Sequence, residues 1–278
     1  MPRQINYRMA EHEINDVAPT ESWPLGTRGH ANNGRTFRRA KAGTKALAVG
    51  TLVRKPENEA LHSDLAVAAG ALEGTIAFTA TLTGAGATPN EYADGLVYVN
   101  DGPGQGYAYE VTASSETFKS GTITITIHSG LIEAVTTSSR VTLVKNRYDG
   151  VRICMFNHNE QALGLVQCAV PANYHFWLQT AGPGVALQEG ALFENAAVAP
   201  SGKIAGAAAL ASAPVASSEA PDSSLAQGVS KAVALDVEGN NRLVEVRTVS
   251  VLAQTNVVGY CLDPRVDGDY ALIAMTLE

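Results

Sequence analysis

Apolar and polar residues alternate with a period of two along most of the chain, the spacing of strands that see core and solvent in turn. The clearest run is 122–128 (TITITIH), which sets Ile123, Ile125 and Ile127 on one face and three threonines on the other. Residues 75–83 (TIAFTATLT) do the same with Ile76, Phe78, Ala80 and Leu82. Shorter runs at 53–54, 65–68, 96–100, 107–112, 140–144, 150–156, 164–170, 174–180, 245–252, 257–262 and 270–278 also read as strands, and 184–193 as strand–turn–strand. The segment 101–106 (DGPGQG) predicts a hairpin, and Pro171, Ala172 and Asn173 predict another. No stretch of twelve residues keeps a 3.6-residue period; the one helical suggestion is a short turn within 36–48, interrupted by Gly43. The pattern predicts a mainly β chain of short-strand β-sandwich or barrel domains with an extended N-terminal arm.

Punctuation divides the chain. Residues 1–35 lack periodicity and hold Pro2, Pro19, Pro24 and a Gly- and Asn-rich loop at 26–34, so 1–45 reads as an arm. Residues 46–70 and 146–278 read as a β-rich main domain, with the hairpins of 71–145 as an inserted one. The pattern A-L-x-x-G-x-L occurs at 46–52 and again at 186–192, the trace a duplication would leave. Residues 196–228 are dominated by Ala, Ser, Gly and Pro, which suits either a linker or small-residue strands in a tightly packed oligomer.

Composition narrows the class. Of 278 residues, 45% are hydrophobic and 17% charged, which excludes wholesale disorder and leaves a charge-poor surface. The net charge of −7 hides an asymmetry: residues 1–55 hold ten basic and four acidic residues, and the other 223 hold ten basic and 23 acidic. A basic end on an acidic body suits docking on an acidic partner or a neighbouring copy. Nucleic acid is disfavoured, because the densest basic stretch, 28–55, has a single aromatic, Phe37. No apolar run nears the roughly 18 residues of a membrane span, so no membrane partner is expected. The first ten residues lack the apolar centre of a signal peptide, so assembly in a cytoplasm is expected. Cys154, Cys168 and Cys261, odd in number and without a CxxC, read as free, buried thiols.

Chemistry-bearing constellations are thin. The six histidines are scattered, and Cys154 and His158 lack two further ligands nearby, so no metal site is expected. There is no GxSxG elbow or phosphate-binding GK[ST], and Gly102, Gly104 and Gly106 join two strands, away from any helix N-terminus. Residues 263–269 bring Asp263, Asp267 and Asp269 together without the order of a calcium loop, and read as an acidic turn. Asp94 and Asp101 flank a strand without declaring a catalytic pair. No catalytic residue and no cofactor are predicted. Tyr174 and Trp177, with Phe176 between them, read as core or interface anchors.

Three segments together resemble a group of tailed-phage virion proteins: 34–43 (GRTFRRAKAG) followed by 46–52, 136–151 (TTSSRVTLVKNRYDGV), and 174–183 (YHFWLQTAGP). The last departs from the group's Y-x-W pattern, since two residues separate Tyr174 from Trp177. The resemblance, over roughly 26–195, is to capsid decoration (cement) or head structural proteins. It implies a virion protein on the capsid surface, without enzymatic activity, that binds the major capsid protein and itself, with a homotrimer matching three-fold capsid positions. On this reading Arg28, Arg35, Arg38, Arg39 and Lys41 are the polar anchors on the capsid and Phe37 the apolar one. Two rival classes remain: a fibre, spike or carbohydrate-binding protein using Trp177, Tyr107, Tyr109 and the aspartates, and a tail-tube subunit.

Overall fold

The computed structural model describes residues 6–155, 161–211, 230–235, 241–246 and 256–277. The chain is mainly β, as its alternation predicts. In order the strands are β1 (Asn6–Arg8), β2 (Arg28–His30), β3 (Thr36–Ala42), β4 (Leu52–Arg54), β5 (Leu65–Ala69), β6 (Ala77–Thr81), β7 (Leu96–Asp101), β8 (Ala108–Ser114), β9 (Thr122–Ile127) and β10 (Arg140–Val144). They continue with β11 (Asp149–Ile153), β12 (Ala162–Val166), β13 (His175–Glu189), β14 (Ala197–Pro200), β15 (Ala208–Leu210), β16 (Ser230–Leu235), β17 (Asn241–Val246), β18 (Gly259–Asp263) and β19 (Tyr270–Thr276). Two short 3₁₀ turns, Glu11–Asn15 and Ala60–His62, are the helical content of the described residues.

Strands β5 to β10 close into a six-stranded antiparallel barrel in the order β10-β5-β6-β9-β8-β7. Alternation builds it: Ile123, Ile125 and Ile127 point inward with Phe78, Ala80, Leu82, Val97, Val99, Val111, Val141 and Leu143. Ile76 breaks the expected pattern. It lies one residue before β6 and is exposed, because the strand begins only at Ala77. The β7–β8 hairpin forms around 101–106 as predicted.

Nine of the remaining strands form two five-stranded rings that share β13; β1 and β2 add to the edge of β3, and β16 and β17 pair as a separate two-stranded sheet. In the first, β3 pairs with β11, β11 with β4, β4 with β12, β12 with β13 and β13 back with β3. In the second, β13 pairs with β15, β15 with β14, β14 with β18, β18 with β19 and β19 back with β13. Number the strands of each ring one to five along the chain, and the wiring is the same. Strand one pairs with strand three in parallel; three with two, two with four, four with five and five with one are antiparallel. Agreement down to the single parallel pair marks an internal duplication. The repeated A-L-x-x-G-x-L motif spans the passage from strand one to strand two in each half, beginning inside β13 in the second, and Gly50 and Gly190 adopt left-handed φ of 72° and 70°. The six-stranded barrel is strung between β4 and β11, which pair with each other, at Arg54 opposite Arg152.

Each ring has its own interior. Ala40, Ala42, Val53, Val151, Val166, Phe176 and Leu178 fill the first. Ala186, Val198, Ala208, Cys261, Ala271, Ile273 and Met275 fill the second, together with Leu52, Cys154 and Leu165, through which the first ring leans on it. The alanine-rich stretch after residue 196 thus supplies β14 and β15, whose small residues suit a narrow interior; the rest of that stretch, 212–229, lies outside the described residues. So do Phe156 and the 247–252 part of the predicted strand 245–252. The break expected between 180 and 184 is absent: β13 continues through it with a bulge between Gln179 and Ala181.

Residues 36–42, expected as part of a helical turn, are β3. They escape alternation because both faces are covered, giving five buried residues in seven. The N-terminal segment is likewise part of the body. Its described residues supply β1 and β2, paired in parallel, with β2 antiparallel on β3. They are folded onto the first ring and are not an extended arm, because their apolar side chains have a sheet face to bury against.

Candidate functional site

The residues singled out for docking sit at the seam between the N-terminal segment and the first ring. On the outward side of β3 and β13, Phe37 and Trp177 form a small core with Met9, Ile14 and Ala31, and with Tyr7 and Trp23 at its margin. Trp177 is 2% exposed and Phe37 0%. Tyr7 stacks on Trp177 at 6.1 Å and tilts against Trp23 at 4.8 Å. Gly29 of β2 passes so close that a Cβ there would meet the Met9 sulfur at 2.3 Å. The segment is tied down by Ala18, whose N–H and C=O both bond to His175, and by the Tyr7 hydroxyl donating to Glu13. That bond, with the Ala10 N–H, holds the Glu13 carboxyl below the usual glutamate range.

The basic residues are engaged within the chain. Arg35 pairs with Glu11, bonds Asn33 Oδ1 at 3.0 Å and lies over the Phe37 ring. Arg38 donates to the Gly26 carbonyl at 2.9 Å, and Lys41 sits 3.7 Å from Asp149. Arg28 is half-buried on β2. Arg39 is 2% exposed, its guanidinium 5.5 Å from the Trp177 ring and 3.2 Å from Ser22 Oγ. Burial pushes Arg39 below its ordinary value, against the pull of Asp16 and Glu21. Phe37 and Arg39 therefore cannot reach a partner in this fold. Trp177 cannot stack on a sugar, which removes the strongest residue of the carbohydrate-binding alternative. Tyr174 packs half-buried against the interior of the first ring.

Two apolar surfaces lie elsewhere, and the sequence reading named neither. The first is one end of the six-stranded barrel. Loops 71–76 and 130–135 are stitched together by Gly74 N–H to Leu131 O, Leu131 N–H to Thr75 O and the bridge of Ala71 with Val135. Leu72, Ile76 and Ile132 project from them at 78, 59 and 57% exposure. The second is the outward side of β13, β19 and β18. Tyr260, Ala274 and Pro183 lie in one row across the three strands, and Leu272 pairs with Val185 in the next. Tyr260, Val185 and Tyr270 are nearly half exposed, and Leu262 is 39% exposed. Pro183, Val185, Tyr260, Leu262, Tyr270, Leu272 and Ala274 are uncharged, and Asp263, paired with Arg265, closes the Val185–Leu272 row on β18. A signal was present in the sequence: residues 183–187 and 270–275 are apolar on both parities at once.

A cleft of about 590 Å³ separates the six-stranded barrel from the first ring. Its walls mix signs: Lys55 and Arg147 against Asp94 and Glu110, with Tyr148 and Asn146 between. Burial, with Glu110 nearby, pushes the Asp94 carboxyl up. At the same end of that barrel His62 is fully buried, bonded through Nδ1 to the Tyr92 hydroxyl and through Nε2 to Ala85 O at 3.2 Å. Burial pushes the Tyr92 phenol up. This pair plugs the barrel.

Two carboxylates of the 263–269 turn are engaged within the chain. Asp263 pairs with Arg265 at 2.5 Å, and Asp267 Oδ1 accepts from the Gly190 N–H at 2.8 Å. Buried Gln188 holds the turn in place, donating to Arg265 O and accepting from the Arg265 N–H. Among the described residues no group of three or more His, Cys, Asp or Glu is placed to hold a metal ion. The three cysteines are free; burial pushes the Cys168 and Cys261 thiols up, away from the reactive thiolate. No helix among the described residues is long and apolar enough to cross a membrane. No known protein family, curated protein or solved structure matches the chain.

Proposed function

We propose that this chain is a virion structural protein: a decoration, or cement, protein that binds the major capsid protein on the outer surface of a tailed-phage capsid, as a homotrimer. The resemblance at 34–52, 136–151 and 174–183 supplies the class. The observation that carries it is the exposed apolar end of the six-stranded barrel. Three large aliphatic side chains on two stitched loops are costly to leave in water, since soluble surfaces rarely cluster such residues without a partner. On this reading the capsid contact is made by Leu72, Ile76 and Ile132 and not by the arginines of β2 and β3, which are engaged within the chain.

The test is cosedimentation with head shells of the encoding phage assembled without this protein. Wild-type chain pellets with shells. Leu72→Lys with Ile132→Lys stays in the supernatant while keeping the wild-type circular dichroism spectrum. A double variant that still pellets at the wild-type ratio, or a wild-type chain that never pellets, rejects the reading. Deleting residues 1–40 is not a test of docking, because it removes β1, β2 and most of β3.

A further inference from the structure

The N-terminal cover is fastened unevenly. Its strands β1 and β2 are laddered onto the sheet, but the stretch between them is not. Among the described residues, the backbone bonds from residues 10–25 to the first ring are the two between Ala18 and His175. Of the side chains in that stretch only Ile14 is buried, while Val17 and Trp23 pack at a margin. Few buried contacts and few ladder bonds make a segment that opens at low cost while its surroundings stay folded. Residues 10–25 are a strap across the start of β13, and His175 lies beneath its one backbone tie.

That position disfavours a charged imidazole. His175 is 7% exposed, and its Nδ1 has no hydrogen-bond partner. Protonation puts an N–H on both ring nitrogens, so the charged form leaves a buried donor without an acceptor. Ala18 O, which favours the proton, already takes the His175 backbone N–H at 2.8 Å. The surrounding charges add to the cost. From β3, Lys41 stands opposite His175 in the register, and Arg39, itself buried with an unpartnered Nε, is next on the same side. From β11, Asp149 pulls the other way but is paired with Lys41 at 3.7 Å. From the strap, Asp16 and Glu21 bear on Arg39. Burial first, then Lys41 and Arg39, lower the His175 imidazole below the ordinary histidine value.

We propose that the strap is an acid-released latch: protonation of His175 frees residues 10–25 from the first ring and uncovers the Trp177 and Arg39 side of β13 and β3, while both rings stay folded. Opening returns the imidazole to water and to its ordinary proton affinity. The closed state therefore loses stability as pH falls through the ordinary histidine value toward the lowered one.

Tryptophan emission and acrylamide quenching, followed with far-ultraviolet circular dichroism from about pH 8 to about pH 4, test the latch. Wild type is expected to show a reversible red shift and stronger quenching, centred below the ordinary histidine value, with the strand signal unchanged. His175→Gln, which takes no proton, is expected to lose this step. Lys41→Met removes the cation opposite and is expected to weaken the step, which keeps the test decisive if His175→Gln fails to fold. Glu13→Gln is expected to retain it, because Glu13 ties the other end of the strap to Tyr7 and titrates below the usual glutamate range. Five outcomes overturn the proposal: no step above the carboxylate range, a step that survives in His175→Gln, one unchanged in Lys41→Met, one lost in Glu13→Gln, or one that coincides with loss of the strand signal.

Discussion

In the first ring the outward side of the terminal strands lies beneath residues 6–31; in the second no described segment covers the equivalent strands, and Val185 and Tyr260 are nearly half exposed. The interiors differ in the same direction. Phe176 and Leu178 fill the first, whereas Ala186, Ala208 and Ala271 line the second. Two copies of one wiring have thus diverged in what covers them and in where they accept insertions. The first carries the six-stranded barrel between strands two and three, and the second carries residues 211–258 between strands three and four. The lesson is that pairing order survives while faces are free to specialise. The covered face contributes stability.

The largest expected effect breaks the covered face. Trp177→Ala removes the centre of the N-terminal core and is expected to cost about 3–5 kcal/mol, the range for deleting a buried aromatic. Val185→Ala, on the equivalent bare face, is expected to cost no more than about 0.5 kcal/mol in the monomer, as for ordinary surface changes. Denaturant unfolding of both variants measures the gap; equal losses would mean the second face is covered after all.

A smaller effect compares the repeated glycines. Both need left-handed backbone, so alanine costs about 1 kcal/mol at either. At Gly190 nothing lies within 4 Å of the new Cβ, whereas at Gly50 it would meet the Tyr270 ring at 2.5 Å. Gly50→Ala is therefore expected to cost about twice as much.

The smallest effect is acid-linked. Both tryptophans of the chain, Trp23 and Trp177, lie in the N-terminal core, so their emission reports the cover. Glu13 has its carboxyl lowered by the Tyr7 hydroxyl and the Ala10 N–H. A lowered carboxyl contributes stability above its unfolded value and loses it as pH falls through the folded one. Acidification below the usual glutamate range should loosen the segment and shift the emission. In Glu13→Gln that shift should shrink, because the group no longer titrates; an undiminished shift would assign it to other carboxylates.

Strands with one wet face were legible in the sequence, as Ile123, Ile125 and Ile127 against three threonines illustrate. Strands covered on both sides were not. β3 carries Arg38, Arg39 and Lys41, whose aliphatic stems lie along packed surface while their heads find partners, so polarity misreports burial. The N-terminal cover was hidden for a related reason: Met9, Ile14 and Trp23 are spaced by loop geometry and obey no period. The cysteines read correctly as free, although Cys168 is only half-buried, and the acidic turn read correctly from composition. Gly182, Pro183 and Gly184 look like a break, but in β13 they accommodate the bulge and the close approach of Gln179, which leaves 2.9 Å for a Cβ at Gly184.

That same strand has a mechanical consequence. Domains joined by a tether swivel, whereas here one fifteen-residue strand is woven into two closed cylinders. Changing the angle between the cylinders would require tearing ladder bonds from one of them. The protein therefore behaves like a caliper with a soldered joint, holding its two halves at a set spacing whatever it is mounted on.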